Sequence, residues 1–109
     1  MQGYQLTFYT RQDRVIQGQP LAQWLVEQAK ALGIQGATLL AANEGLGHDR
    51  RLHSAHFFEL SDQPLEVTLA VTEREVNLMF DLLKAHNTSV FYTLIPIEFG
   101  MSGERESVK

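Results

Sequence analysis

Residues 43–56 contain most of the side chains in this chain that could bind a small ligand. The segment combines glycines, arginines and histidines and shows no hydrophobic period. Gly45 and Gly47 permit positive φ angles and a close approach of the backbone to a ligand. Arg50 and Arg51 supply forked donors that suit phosphate or carboxylate. The pattern predicts a long anion-binding loop. The alternative is a mobile loop whose charged residues only make it soluble.

The histidines of the same segment allow a second kind of site. His48, His53 and His56, together with Glu44 or Asp49, offer nitrogen and oxygen ligands for zinc, copper or nickel. Their spacing matches no familiar metal motif, and histidines in a surface loop are more often plain polar residues. A metal site is therefore kept as an alternative to the anion site.

Two further patterns concern catalysis and a second cationic group. Ser54 lies near His53 and His56, but sequence neighbours rarely have the geometry of a catalytic triad, and no orienting acid is identifiable. We therefore predict that the protein is not an enzyme. Arg11 and Arg14 indicate either a phosphate or carboxylate clamp or a solvated turn.

The composition predicts one small domain around these residues. The chain has 109 residues, of which 44% are hydrophobic, and this allows a single core, with residues 1–109 as one domain and 102–109 as a polar tail. The net charge of −4 argues against a nucleic-acid partner. Without cysteines or a signal-like start, a cytoplasmic location is expected. No apolar run approaches the roughly 20 residues of a membrane helix.

The hydrophobic period switches between 2 and 3.6 along the chain and predicts the order βαββαβ. Pro20 and Gly33 flank the first helix, a capping box at 72–75 starts the second, and Pro96 places the last strand near a sheet edge or ends it there. The predicted strands span 4–11, 36–42, 65–72 and 90–95, with more extended structure at 57–60. The predicted helices span 20–32 and 73 to about 87.

This order predicts an α+β, ferredoxin-like fold with a four-stranded antiparallel sheet and two helices on one face. The other face then has no cover, although its side chains are too apolar for a bare solvent face. Burial against another copy of the chain would explain this, and the alternative is that the sheet tolerates Thr and Ala toward water. The residues expected there are Thr7, Tyr9, Thr68, Ala70, Thr93 and either Phe91 or Ile95.

The sequence resembles the bacterial family called domain of unknown function 190 over nearly its whole length. The matching segments are residues 3–9, 36–39, 44–48, 53–60, 90–92 and 96–100. That family is itself similar to PII signalling proteins, which are trimers of ferredoxin-like subunits. PII proteins bind adenine nucleotides in clefts between subunits and signal through a long loop after the second strand. The resemblance thus implies a homotrimer that signals to a partner protein through its 43–56 loop.

Single motifs of the chain both follow and depart from the PII pattern. Residues 44–47 resemble the glycine pair at the base of the PII loop, and 102–105 resemble the T-G-E-R segment near the PII C-terminus. The phosphate-binding lysine before the last strand is missing, since residues 86–89 read His-Asn-Thr-Ser, and residues 98–101 replace two arginines. An ordinary PII-type ATP site is therefore not implied. The resemblance adds three candidate ligand-binding residues: Gly103, Glu104 and Arg105.

Three functions are compatible with these patterns. The first is a PII-like sensor that binds an adenine nucleotide or related anion between subunits. The second is a divalent-metal-binding trimer like the CutA divalent-cation-tolerance proteins, with the loop histidines as ligands. The third is a protein-interaction module without a small ligand. Members of the resembling family often lie beside fluoride-exporter genes, which hints at a membrane transporter as partner.

Overall fold

The computed structural model describes residues 1–41, 44–46, 52–54 and 63–106. Its strands, in chain order, are Gln2–Arg11 (β1), Val15–Ile16 (β2), Gln19–Pro20 (β3), Gly36–Ala41 (β4), Glu44–Leu46 (β5), Leu52–Ser54 (β6), Pro64–Val71 (β7) and Phe91–Glu98 (β8). The helices are Leu21–Ala31 (α1) and Glu73–Ala85 (α2), and a 3₁₀ turn follows at Ser102–Glu104. No helix in this described part is long and apolar enough to span a membrane.

The main sheet confirms the predicted ferredoxin-like arrangement. Its four strands are antiparallel and lie in the order β4-β7-β1-β8, with α1 and α2 as the two connecting helices. The edge position predicted for the last strand is confirmed. However, β8 continues through Pro96 to Glu98, and an edge strand tolerates this because only one of its sides donates hydrogen bonds to the sheet.

The core lies between the sheet and the helices, where the alternating pattern of the sequence places it. Leu6 and Phe8 of β1 are fully buried, as are Val67 and Leu69 of β7. The helices contribute a buried apolar stripe made of Leu21, Trp24, Leu25, Ala29, Val76, Met79 and Leu83. Burial of such side chains contributes about 1.5–3 kcal/mol each, so the stripe is what holds the helices on the sheet.

The helix boundaries follow from local signals in the sequence. The capping box of α2 is present, since the Thr72 N–H donates to Glu75 Oε1 at 2.9 Å and the Glu75 N–H donates to Thr72 Oγ1 at 3.2 Å. Gly33 has a φ of 81°, as the predicted left-handed stop after α1 requires. Pro20 lies immediately before α1 rather than inside it.

Two short hairpins were not predicted. The first, β2 and β3, pairs Ile16 with Gln19 across a two-residue turn whose φ angles are 49° at Gln17 and 77° at Gly18. The second, β5 and β6, lies inside the segment that we expected to be an irregular loop. The extended structure predicted at 57–60 lies outside the described residues.

The face of the sheet opposite the helices, the open face, carries a row of threonines. Thr38, Thr68, Thr7 and Thr93 are opposite one another across β4, β7, β1 and β8. Thr7 Oγ1 and Thr68 Oγ1 share a hydrogen bond of 3.2 Å, and Thr7 is only 5% exposed. The hydroxyls of Thr7 and Thr68 therefore satisfy each other within the sheet.

Apolar side chains flank this row of threonines on the open face. Ile95 is opposite Gln5 and Phe91 is opposite Tyr9, so both residues lie on the open face. The sequence had suggested that only one of the two lies there. Phe91 is 64% and Ile95 50% exposed in the single chain. The open face is therefore more apolar than expected.

Candidate functional site

The ends of β1 and β4 and the starts of β7 and β8 lie at one end of the main sheet, which we call the loop end. Arg11 at the end of β1 pairs with Pro64 at the start of β7, and Ala41 at the end of β4 pairs with Leu65. β8 begins at Phe91, beside the same end of β1. The topology thus places the end of β4, the β1–α1 connection and the α2–β8 turn at the same end of the sheet.

Arg14 connects three of the elements at the loop end. Its backbone N–H donates to Arg11 O at 3.2 Å, and its own carbonyl accepts the N–H of Leu21 at 2.8 Å, where α1 begins. Its guanidinium donates to the carbonyl of Ser89 in the α2–β8 turn. Because both its backbone and its side chain are bonded, the guanidinium has a defined place beside that turn.

The positive charges of Arg11 and Arg14 act on each other at the loop end. Partial burial, together with the positive charge of Arg11, lowers the pKa of Arg14 from its usual value, although a guanidinium stays charged at any physiological pH. Arg11 Nε lies 3.3 Å from Asp13 Oδ1, so the carboxylate of Asp13 accompanies the guanidinium of Arg11. An anion bound at this place would relieve the repulsion between the arginines, which is the electrostatic property expected of an anion site.

The α2–β8 turn is polar and tightly bonded. Thr88 donates its backbone N–H to Leu83 O at 2.9 Å and its hydroxyl to His86 O at 3.0 Å. His86 Nδ1 is 2.8 Å from Leu82 O, and the imidazole packs edge-on against Trp24 with ring centroids 5.1 Å apart. His86 is thus held by the helices and has a structural role.

The structure describes only part of the predicted binding loop. The β5–β6 hairpin pairs Glu44 with Ser54 and Gly45 with His53 through the backbone. The remaining predicted ligand residues of this segment lie outside the described residues: Gly47, His48, Arg50, Arg51 and His56. Among the residues that are described, no group of three could hold a metal ion. The anion and metal hypotheses for this loop both stay predictions.

The C-terminal candidates lie at the opposite end of the sheet. Arg105 donates from Nε to Glu98 Oε2 at 2.6 Å and from Nη2 to Glu98 Oε1 at 3.1 Å. This pairing lowers the pKa of Glu98 and raises that of Arg105. Because β8 is eight residues long, about 25 Å of strand separates this pair from the loop end. One chain therefore does not bring Gly103, Glu104 and Arg105 to Arg14.

The contact between Arg14 and the α2–β8 turn is the main feature of the site that sequence reasoning missed. Residues 86–89 lack the lysine that the PII pattern places there. This absence was the signal that a cation from another part of the chain could take its place. The structure brings the guanidinium of Arg14 to Ser89 of this turn from the β1–α1 connection instead. The clamp of Arg11 and Arg14 stays a prediction, to which the structure adds the place of the Arg14 guanidinium beside this turn.

Sequence comparison matches residues 3–99 to the model of the DUF190 family, which carries the description Uncharacterized ACR. The chain is also similar to the UPF0166 protein of Aquifex aeolicus (strain VF5). The two are 30% identical over 84 residues, which cover 75% of this chain and 80% of the relative.

Comparison with solved structures finds the same fold in PII-like proteins. A PII-like protein from Thermus thermophilus superposes with a TM-score of 0.64 and 18% identity, covering 89% of this chain and 88% of the other. CPII, a nitrogen regulatory PII-like protein from Thiomonas intermedia K12 bound to ADP, AMP and bicarbonate, gives a TM-score of 0.59 at 18% identity, covering 89% of each chain. At these identities the similarity establishes the fold.

Proposed function

Because the chain belongs to the DUF190 family and has a PII-like fold, we propose that it is a ligand sensor without catalytic activity. In this proposal an adenine nucleotide or a related anion binds at the loop end, beside Arg11 and Arg14. The 43–56 segment, which leaves the sheet at the same end, signals the bound state to a partner protein. A membrane transporter such as a fluoride exporter stays the partner predicted from the resemblance.

The observation that carries the proposal is the position of Arg14. Its guanidinium contacts Ser89 in the turn before the last strand, and Arg11 lies near enough to lower the pKa of Arg14. Forked, permanently charged donors of this kind suit phosphate oxygens. A protein of similar fold points the same way, since CPII is bound to ADP and AMP.

A homotrimer is part of the same proposal. The open face exposes Phe91 and Ile95, which favours burial against other copies of the chain. Its central hydroxyls can be buried cheaply, because Thr7 already bonds Thr68 and Tyr9 Oη lies 3.1 Å from Thr93 Oγ1. In this proposal the C-terminal segment with Arg105 contributes to the site of a neighbouring subunit, because within its own chain Arg105 pairs with Glu98 at the end of β8 far from Arg14.

Replacing Arg14 by Gln should weaken nucleotide binding strongly. Losing one charged hydrogen bond costs about 1.5–3 kcal/mol, which corresponds to about a tenfold to 150-fold loss of affinity. Calorimetric titration of the purified protein with AMP, ADP and ATP, without metal, measures this. Arg14→Lys keeps the charge but loses the fork, so we expect an intermediate affinity.

A matched control is Arg74→Gln, which removes the same charge from an exposed position in the first turn of α2. It should change nucleotide affinity by less than about twofold, because the screening length is about 8 Å at physiological salt. Equal losses in the two variants would contradict a site at Arg14. A wild-type protein that ignores the nucleotides and binds Zn²⁺ or Cu²⁺ would favour the metal-binding alternative.

A further inference from the structure

The turn between β1 and β2 carries an acidic side chain inside the proposed anion site. Asp13 Oδ1 lies 3.3 Å from Arg11 Nε, and both side chains remain about one-third exposed, at 37% and 33%. The turn is closed by the hydrogen bond from the Arg14 N–H to Arg11 O at 3.2 Å. The carboxylate is therefore held next to the guanidinium that an anion would approach.

A carboxylate in this position acts on a ligand according to the ligand's charge. It reduces the attraction of the two arginines for every negative charge that binds beside them, and the reduction grows with the number of those charges. AMP, ADP and ATP differ by about one negative charge per added phosphate, because each internal phosphate carries one negative charge, while the terminal phosphate carries up to two at neutral pH in all three nucleotides. A carboxylate beside the bound phosphates would thus penalise ATP more than ADP, and ADP more than AMP.

We propose that Asp13 is a specificity-determining residue that restricts the site to nucleotides with few phosphates. The inference rests on the proposed function, since it requires that a nucleotide binds beside Arg11 and Arg14. In addition to its contact with Arg11, the Asp13 carboxylate repels the negative charges of the ligand. A residue that only oriented Arg11 would affect all three nucleotides alike.

The test compares wild type and Asp13→Asn by calorimetric titration with AMP, ADP and ATP in a magnesium-free buffer. The substitution keeps the shape of the side chain and removes its charge. We expect a gain in affinity already for AMP, whose phosphate carries up to two negative charges, and a further gain of about threefold to tenfold for each added phosphate, the size expected for charges near a protein surface. Asp13→Glu should retain the wild-type order of the three affinities.

The control is Asp81→Asn, which makes the same charge change at an exposed position on α2. It should change each of the three affinities by less than about twofold. An Asp13→Asn variant that shifts all three affinities by the same factor, in either direction, overturns charge selection and leaves the proposed function intact. If neither the wild type nor the Asp13→Asn variant binds any of the three nucleotides, the proposed function is overturned, and this inference with it.

Discussion

Replacing Gly3 by Ala should lower the free energy of unfolding by about 3 kcal/mol, at the upper end of the cost of overpacking. A Cβ atom at this position would lie 2.2 Å from the carbonyl oxygen of Val71 and 2.6 Å from Cε1 of Phe99. The phenylalanine ring can turn away, but the Val71 carbonyl belongs to β7. It can move only if the pairing of β1 with β7 opens. Urea unfolding followed by circular dichroism measures the change.

The matched control is Gly100→Ala. No atom lies within 4 Å of a Cβ built on Gly100, so this change should alter stability by less than about 0.5 kcal/mol. Both variants are compared at the same protein concentration, because self-association raises apparent stability. Equal stabilities of the two variants would show that β1 and β7 adapt to the extra methyl group. The comparison also gives a physical reason for a glycine in the first strand.

Most of the main sheet and both helices could be predicted from the sequence because single elements carry strong local signals. The alternation from Leu65 to Val71 fixes which residues face the helices, and the structure buries Val67 and Leu69 as expected. The capping box at Thr72 fixes where α2 starts. These signals depend on residues within one element, so no knowledge of distant contacts is needed.

The short hairpins could not be predicted because they are too small to show a hydrophobic period. β2 and β3 have two residues each, and their turn has Gln17 in the left-handed region, where Asn or Asp would have been a clearer signal. The Gly18 that follows has the φ expected of such a turn. In the sequence alone, this glycine indicates only a break before the helix.

The candidate site was predictable only as a set of residues and not as an arrangement. Arg14 and Ser89 are 75 positions apart, and only the order of the strands brings them together. Arg105 was predicted as a ligand-binding residue, yet its side chain pairs with Glu98 at the opposite end of β8. Which cations share a site depends on strand register, which the hydrophobic pattern does not show.

Replacing Ala70 by Asp should convert the proposed trimer into smaller species. Ala70 lies on the open face, opposite Gln5 and Gly36 in the neighbouring strands. In a trimer that buries this face, each subunit would place an unpaired carboxylate in the interface, at a cost of about 3–5 kcal/mol per subunit. Light scattering after gel filtration should give about three times the 12.3 kDa chain mass for the wild type and a lower mass for the variant.

The control for this experiment is Asn77→Asp, which adds the same charge at an exposed position of α2 and should leave the mass unchanged. Far-ultraviolet circular dichroism should show that the Ala70→Asp chain still folds. In a single chain the open face is not covered by the helices, so the new carboxylate does not enter the core. If clefts between subunits complete the binding site, the variant should also lose nucleotide affinity although Arg14 is intact. A trimer that survives the substitution would place the subunit interface elsewhere, and a wild-type monomer at micromolar concentration would contradict the proposed assembly.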